Sequence, residues 1–238
     1  MENSTLQECC LSRGVQRCGF HICVLGVIAS GKTTLTRALE EVIKEETGFC
    51  MAFYEPVSEN PLLPLYYKNP ERYAFPMQIY MLNRRLEQQR VAQVLAMDGL
   101  SSVQDSSVFG DSCFVEMLHK DGLLTQEEID VYSDLFLNMS RDVMYPSMIV
   151  YLNCPAEKAM ERLKKRSREC EAGIPIDYLR KLKAELDILV DQFQRFTFVK
   201  EINAEIDLTE DEIKSLARQI YQEVKMTRNK PILNRMGV

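Results

Sequence analysis

The residues Gly26-Val27-Ile28-Ala29-Ser30-Gly31-Lys32-Thr33 place glycine, four residues, glycine, lysine and threonine in the order of a phosphate-binding loop. Glycines let backbone N–H groups curl around phosphate oxygens, against the positive end of a helix starting near Lys32. Lys32 can reach the terminal phosphates and Thr33 can offer its hydroxyl to Mg²⁺. A second chemical group is Glu55, followed at once by Pro56. If a phosphoryl group passes to a hydroxyl, a carboxylate there is a candidate to take the hydroxyl proton. A third is the cationic run holding Arg162, Lys164, Lys165, Arg166 and Arg168. Phosphoryl transfer calls for mobile cations, and arginine's planar fork matches phosphate.

Elements must bring these groups together. Five apolar or β-branched runs, HICVLG, FCMAFY, SSVQ, SMIVYLNC and FTFVKEIN, alternate with longer helical patterns. The alternation predicts an α/β fold, a parallel sheet with helices on both faces. Such sheets bind ligands beyond the carboxyl ends of their strands. That rule makes the loop from Gly26 to Thr33, Glu55 and Asp105 neighbours in space. Phe75 to Met97 reads as one long helix without glycine or proline after Pro76. Gln78 and Arg85 are seven apart on it and share one stripe. A glutamine amide offers donor and acceptor side by side, which suits the edge of a base. Residues 164–173 read as a charged loop within the domain.

The chain of 238 residues, 46% hydrophobic, is long enough for one substantial core. A net charge of −6 argues against a nucleic-acid partner, because a duplex binder presents a basic face. Eight cysteines without paired metal spacing read as reduced thiols of an intracellular, cytoplasmic protein. No apolar run reaches the length of a membrane span. Residues 1–19 read as a loose extension without signal or transit character, 20–225 as a single domain and 226–238 as a tail.

The stretch YEPVSENPLLPLYYKNPERYAFPMQIYMLNRR, from Tyr54 to Arg85, resembles the deoxynucleoside kinase family, especially its bacterial deoxyadenosine and deoxyguanosine kinases. The resemblance resumes at VQDSSVFGD and at ERLKKRSRECE, and covers roughly residues 20–200. It implies a P-loop kinase with a five-stranded parallel sheet, flanking helices and a lid. The implied activity is transfer from ATP, with Mg²⁺, to a deoxynucleoside 5′-hydroxyl. Relatives are commonly homodimers, and the helix at 75–97 is a candidate surface. By the same resemblance Glu55 is the general base, and Tyr67 with Glu171 holds the sugar 3′-hydroxyl. Gln78 pairs with the base, Ile28 lies near sugar and phosphate, and Arg162, Arg166 and Arg168 are lid arginines. Gly26, Ala29, Ser30, Gly31, Lys32, Thr33 and Thr34 form the donor-phosphate site, with Thr33 and Asp105 at the metal. Members that accept adenine, guanine or cytosine carry an arginine and an aspartate where Arg85 and Asp111 stand. The pair fills the space a thymine methyl would need.

The pattern breaks most sharply after the third strand. The family expects an acidic residue, arginine, then serine or threonine there, and this chain reads Asp105-Ser106-Ser107. Ser106 brings no charge, which leaves open a slow enzyme, one compensated by another cation, or a nucleoside-binding regulator. Asn60, where some relatives have tryptophan, and Ala29, where glycine is common, are smaller differences. A nucleoside monophosphate kinase is a further alternative, but it would need more cations for the acceptor phosphate.

Overall fold

In the computed structural model, which describes residues 19–55, 59–168, 171 and 173–228, the run HICVLG forms strand β1 (His21–Gly26). Ile22, Cys23 and Val24 are all fully buried. Successive strand side chains point to opposite faces, so both faces of the sheet are covered. Strand β2 (Met51–Phe53), β3 (Ser102–Asp105), β4 (Met148–Asn153) and β5 (Phe198–Asn203) complete one sheet, in the order β2-β3-β1-β4-β5. Every pairing is parallel, with Val24 beside both Asp105 and Val150. HICVLG coincides with β1, and the other runs differ from their strands by up to two residues at their ends.

The helices are α1 (Lys32–Thr47), α2 (Leu63–Lys68), α3 (Pro70–Met97), α4 (Asp111–Lys120), α5 (Gln126–Ser140), α6 (Ala156–Arg166), α7 (Ile176–Phe193) and α8 (Glu210–Arg228). Helix α3 starts five residues before the expected Phe75. The Asn69 side chain accepts from the Arg72 N–H at 3.2 Å and Pro70 supplies the first turn, so the helix is capped there. Pro76 then lies inside the helix, where its missing N–H leaves the ladder one bond short. Helix α6 takes in Arg162 to Arg166, so the first three residues of the expected charged loop at 164–173, Lys164, Lys165 and Arg166, are helix and not loop. Its end is set by Ser167, in left-handed conformation at φ 50°.

Gly19 is buried and donates to Ala96 O at 2.7 Å, and α8 runs to Arg228. The rest of the expected extension, 1–18, and of the expected tail, 229–238, lie outside the described residues, as does Pro56. Among the described residues no helix is long and apolar enough to cross a membrane. Cys23, Cys50, Cys113 and Cys154 are free and buried, and burial pushes the first three thiols up to about 12. Helix α3 leaves Val91, Val94 and Met97 exposed on the surface considered for a homodimer.

Between β1, β3 and α3 lies a buried polar chain. His21 Nδ1 is 2.9 Å from Ser102 Oγ and its Nε2 is 3.2 Å from Gln104 Oε1. Gln104 donates to Gln88 Oε1 at 3.1 Å, and Gln88 donates to the Tyr54 carbonyl at 3.0 Å. The chain thus ends on the residue before Glu55. Burial pushes the His21 pKa down from 6.5 to about 4, against smaller opposing hydrogen bonds from Gln104, Gln89 and Ser102. The unfolded chain therefore binds a proton in this interval that the folded chain does not. Stability is expected to be full above pH 6.5 and to fall by about 3 kcal/mol by pH 4 from this group. Denaturant melts of native protein and His21→Gln across that interval check it: the variant should lose less on acidification.

Candidate active site

Strand β1 ends at Gly26, where a Cβ would meet Ser30 Oγ at 2.5 Å and the Leu152 carbonyl at 3.0 Å. Only glycine permits that approach. Gly31 caps α1 at φ 101° and ψ 10°, and no side chain caps this helix. The first-turn N–H groups of α1 thus remain available to an anion. Ser30 Oγ is buried without a protein partner. Ala29 takes φ 63°, a conformation that costs an alanine about 1–2 kcal/mol more than a glycine. The loop shape is kept at that expense. Lys32 folds back, its Nζ donating to the carbonyls of Gly26 and Val27, both at 3.0 Å.

A cleft of about 920 Å³ opens over this loop, lined by residues 29–34 and by Arg162, Arg166 and Arg168. Its size suits a nucleotide. Ile28 instead packs against the core, and Gly26 faces a smaller cavity. The three arginines differ. Arg162 is tied down: it donates to Asp207 at 2.7 Å, to Ala204 O at 2.7 Å and to Ile206 O at 3.2 Å. It holds α6 to the turn after β5, and Lys158 with Arg162 lowers the Asp207 carboxyl to about 2. Arg166 and Arg168 both donate to Glu171, the latter at 3.4 Å.

Thr33 Oγ1 donates to Asp105 Oδ2 at 2.5 Å, joining α1 to the end of β3. Asp105 Oδ1 is buried without a protein partner. A hydroxyl beside a carboxylate with one orphaned oxygen is a hard-oxygen set that fits Mg²⁺. Burial raises the Asp105 carboxyl, the nearby Glu55 adds to this, and Lys32 opposes it.

Glu55 stands two residues past β2, its side chain 27% exposed. Burial pushes its carboxyl up, but Arg85, Lys32 and Arg168 outweigh this and hold it below the ordinary glutamate value. Arg85 extends one guanidinium nitrogen to Glu55 Oε1 and the other to Asp111 Oδ1. Asp111, fully buried at the start of α4, also accepts from the Tyr132 hydroxyl at 3.2 Å. The Arg85 guanidinium lies 5.6 Å from the centre of the Phe114 ring. Gln78 is buried on the same helix as Arg85, and Tyr67 sits with its ring 5.3 Å from that of Tyr66.

The residues named from sequence therefore fall in two compartments. The phosphate loop and the three arginines line the open cleft, whereas Gln78, Arg85, Asp111 and Glu171 are buried, with Glu55 between. Asn60 is buried too, its amide 3.3 Å from Met77 Sδ and its Oδ1 capping Leu62 N–H at 2.9 Å. Sequence reasoning missed Tyr132, Phe114 and Tyr178. Tyr178 opens α7 beside Tyr66, Tyr67 and Glu55, and burial with these neighbours drives its hydroxyl pKa well up. No spacing within one element could link Tyr132 to Asp111, because they lie on different helices 21 residues apart.

Known proteins resemble this chain in sequence and fold. Residues 22–226 match the family model described as deoxynucleoside kinase. A deoxyadenosine kinase of Dictyostelium discoideum is 33% identical over 87% of this chain and 81% of its own length. A deoxyadenosine/deoxycytidine kinase of Bacillus subtilis is 28% identical over 84% of this chain and 90% of its own. The structure of a deoxyadenosine kinase from M. mycoides, with products dCMP and dCDP bound, superposes with a TM-score of 0.72. It is 26% identical and covers 87% of this chain and 99% of its own. The same enzyme with bound dATP superposes at 0.71.

Proposed function

The chain belongs to the deoxynucleoside kinase family, and from that premise we propose that it transfers the γ-phosphoryl of ATP to the 5′-hydroxyl of deoxyadenosine, deoxyguanosine or deoxycytidine, with thymidine disfavoured. The observation that carries this reading is the position of Glu55, a carboxylate between a phosphate loop and a buried Arg85–Asp111 pair.

The nucleoside oxygen attacks the γ-phosphorus, the bond to the β-phosphate oxygen breaks, and the hydroxyl proton passes to Glu55. Glu55 is ionised at neutral pH, since its cationic neighbours hold its pKa low. A weak base suffices because the transition state is loose and needs little prior deprotonation. Lys32 exchanges its two loop carbonyls for phosphate oxygens, and the uncapped start of α1 holds them. Thr33 and Asp105 would hold Mg²⁺, which when bound neutralises charge on the phosphates. Arg166 and Arg168 approach the transferred group, while Arg162 fixes the helix that ends at Arg166 and leads into Arg168. Gln78 meets the base edge, and Tyr67 with Glu171 meets the sugar 3′-hydroxyl.

Preference against thymidine follows from volume. Arg85 and Asp111 are locked by Tyr132 and Phe114, so they have little freedom to admit a methyl group. A competition assay with the four deoxynucleosides and limiting Mg-ATP, read by chromatography of the monophosphates, checks this. Thymidine is expected to lag the preferred substrate at least tenfold in kcat/KM, and equal use of thymidine would refute the assignment of the pair.

A further inference from the structure

We propose that Arg85 supplies the cation missing at position 106: besides walling the base pocket, it is the counterion that positions the general base. The inference rests on the reading of Glu55 as that base. Ser106 and Arg85 line the same small cavity, with Gly26, Gly110, Phe114 and Leu186 around it. Arg85 thus borders the place an arginine at 106 would enter, and its guanidinium reaches Glu55 Oε1. One oxygen of the base is held, and Oε2 is left to take the proton.

The other cations of the site are engaged elsewhere. Lys32 lies on the loop carbonyls, Arg162 on Asp207 and the turn after β5, and Arg166 and Arg168 on Glu171. Among the hydrogen bonds of the described residues, the cation on Glu55 is Arg85. The charged and titratable groups facing Glu55 are Arg85 from α3, Lys32 from the phosphate loop, Arg168 beyond α6, Asp105 from β3 and Tyr178 from α7. Arg85 is itself 4% exposed, so its charge acts on Glu55 with little screening by water. It is also built for two carboxylates at once: Asp111, braced by Tyr132, anchors one arm of the fork while the other holds Glu55.

This arrangement couples the two halves of the acceptor site. A base that touches Arg85 and the residue that takes the proton share one guanidinium, so a misplaced base disturbs the catalytic carboxylate. A lysine at 85 keeps the charge but is a point donor, unable to fork across both carboxylates.

The test uses the full-length chain as native protein, Arg85→Lys, Arg85→Met, and each with Ser106→Arg added, followed by steady-state kinetics with deoxyadenosine and Mg-ATP and by thermal melting. Expected is a fall in kcat of at least tenfold for Arg85→Lys and a hundredfold for Arg85→Met. Ser106→Arg should restore kcat at least tenfold in both backgrounds while KM for the nucleoside stays raised, because the contact to Asp111 is not rebuilt. A merely structural arginine would not be rescued in kcat from another position. A change confined to KM, or absence of rescue in the Arg85→Lys pair with its melting temperature near native, overturns the inference. A native chain without turnover overturns the kinase reading and this inference together, a result distinct from native turnover with unrescued variants.

Discussion

Replacing Glu55 by glutamine is expected to lower kcat about 10²–10⁴-fold with any accepted deoxynucleoside, the range typical of a lost general base. Glutamine keeps the shape and can still face Arg85, but it cannot accept the hydroxyl proton. The fold should survive. Arg85 retains Asp111, and Asp111 retains Tyr132, so neither buried charge is stranded. Glu55 is itself partly open to solvent, which limits the effect on stability. Initial rates and a melting curve on the same preparation separate the two effects. A fall in kcat of less than threefold with unchanged melting would remove Glu55 from the reaction and leave it as a partner of Arg85 alone.

Lys32→Met is expected to cost about 10²–10³ in kcat, comparable with removal of one preorganised donor from a developing charge. Methionine preserves most of the stem and deletes the ammonium, which in the present conformation bridges the carbonyls of Gly26 and Val27. Those two hydrogen bonds are local and partly exposed, so the variant should fold. The larger change is in the field over the cleft, where Lys32 also helps to keep Glu55 ionised and to offset the raised carboxyl of Asp105. Its effect should appear in kcat with every nucleoside alike, because the lysine lies on the donor side. Selective loss with one base would contradict that placement. Stopped assays at saturating nucleoside and varied Mg-ATP give both constants.

Much of the framework was legible because it is local. A short apolar run, a glycine-framed loop and an amphipathic helix sit consecutively, and the loop must then fall at the carboxyl end of β1. The sheet rule brought Thr33 and Asp105 together across 72 residues, and they are hydrogen-bonded. Helix ends were less legible. Asn69 and Pro70 are start signals for α3, but Pro76 is an apparent stop inside it, and packing of the long helix overrides the bond it removes. The charges at 164–173 predict a loop, although Lys164, Lys165 and Arg166 continue α6, whose buried stripe of Ala156, Ala159 and Leu163 holds it to the core.

The interior of the site was the least legible part. Arg85 stood out as one member of a pair, yet its bond to Glu55 joins residues 30 apart on elements whose packing no periodicity reports. Gln88 and Gln104 match no motif, but they carry the hydrogen-bond chain from His21 to the Tyr54 carbonyl. Polar residues at core positions become meaningful only when their partners are known, since a buried polar group is stable only if satisfied.

The central claim is that this chain turns over despite Ser106. The direct measurement is formation of deoxyadenosine 5′-monophosphate by the full-length native protein with Mg-ATP, followed by chromatography through many enzyme equivalents. The account predicts multiple turnovers. Saturable deoxynucleoside binding with no monophosphate formed would contradict it and leave a binding protein on a kinase scaffold.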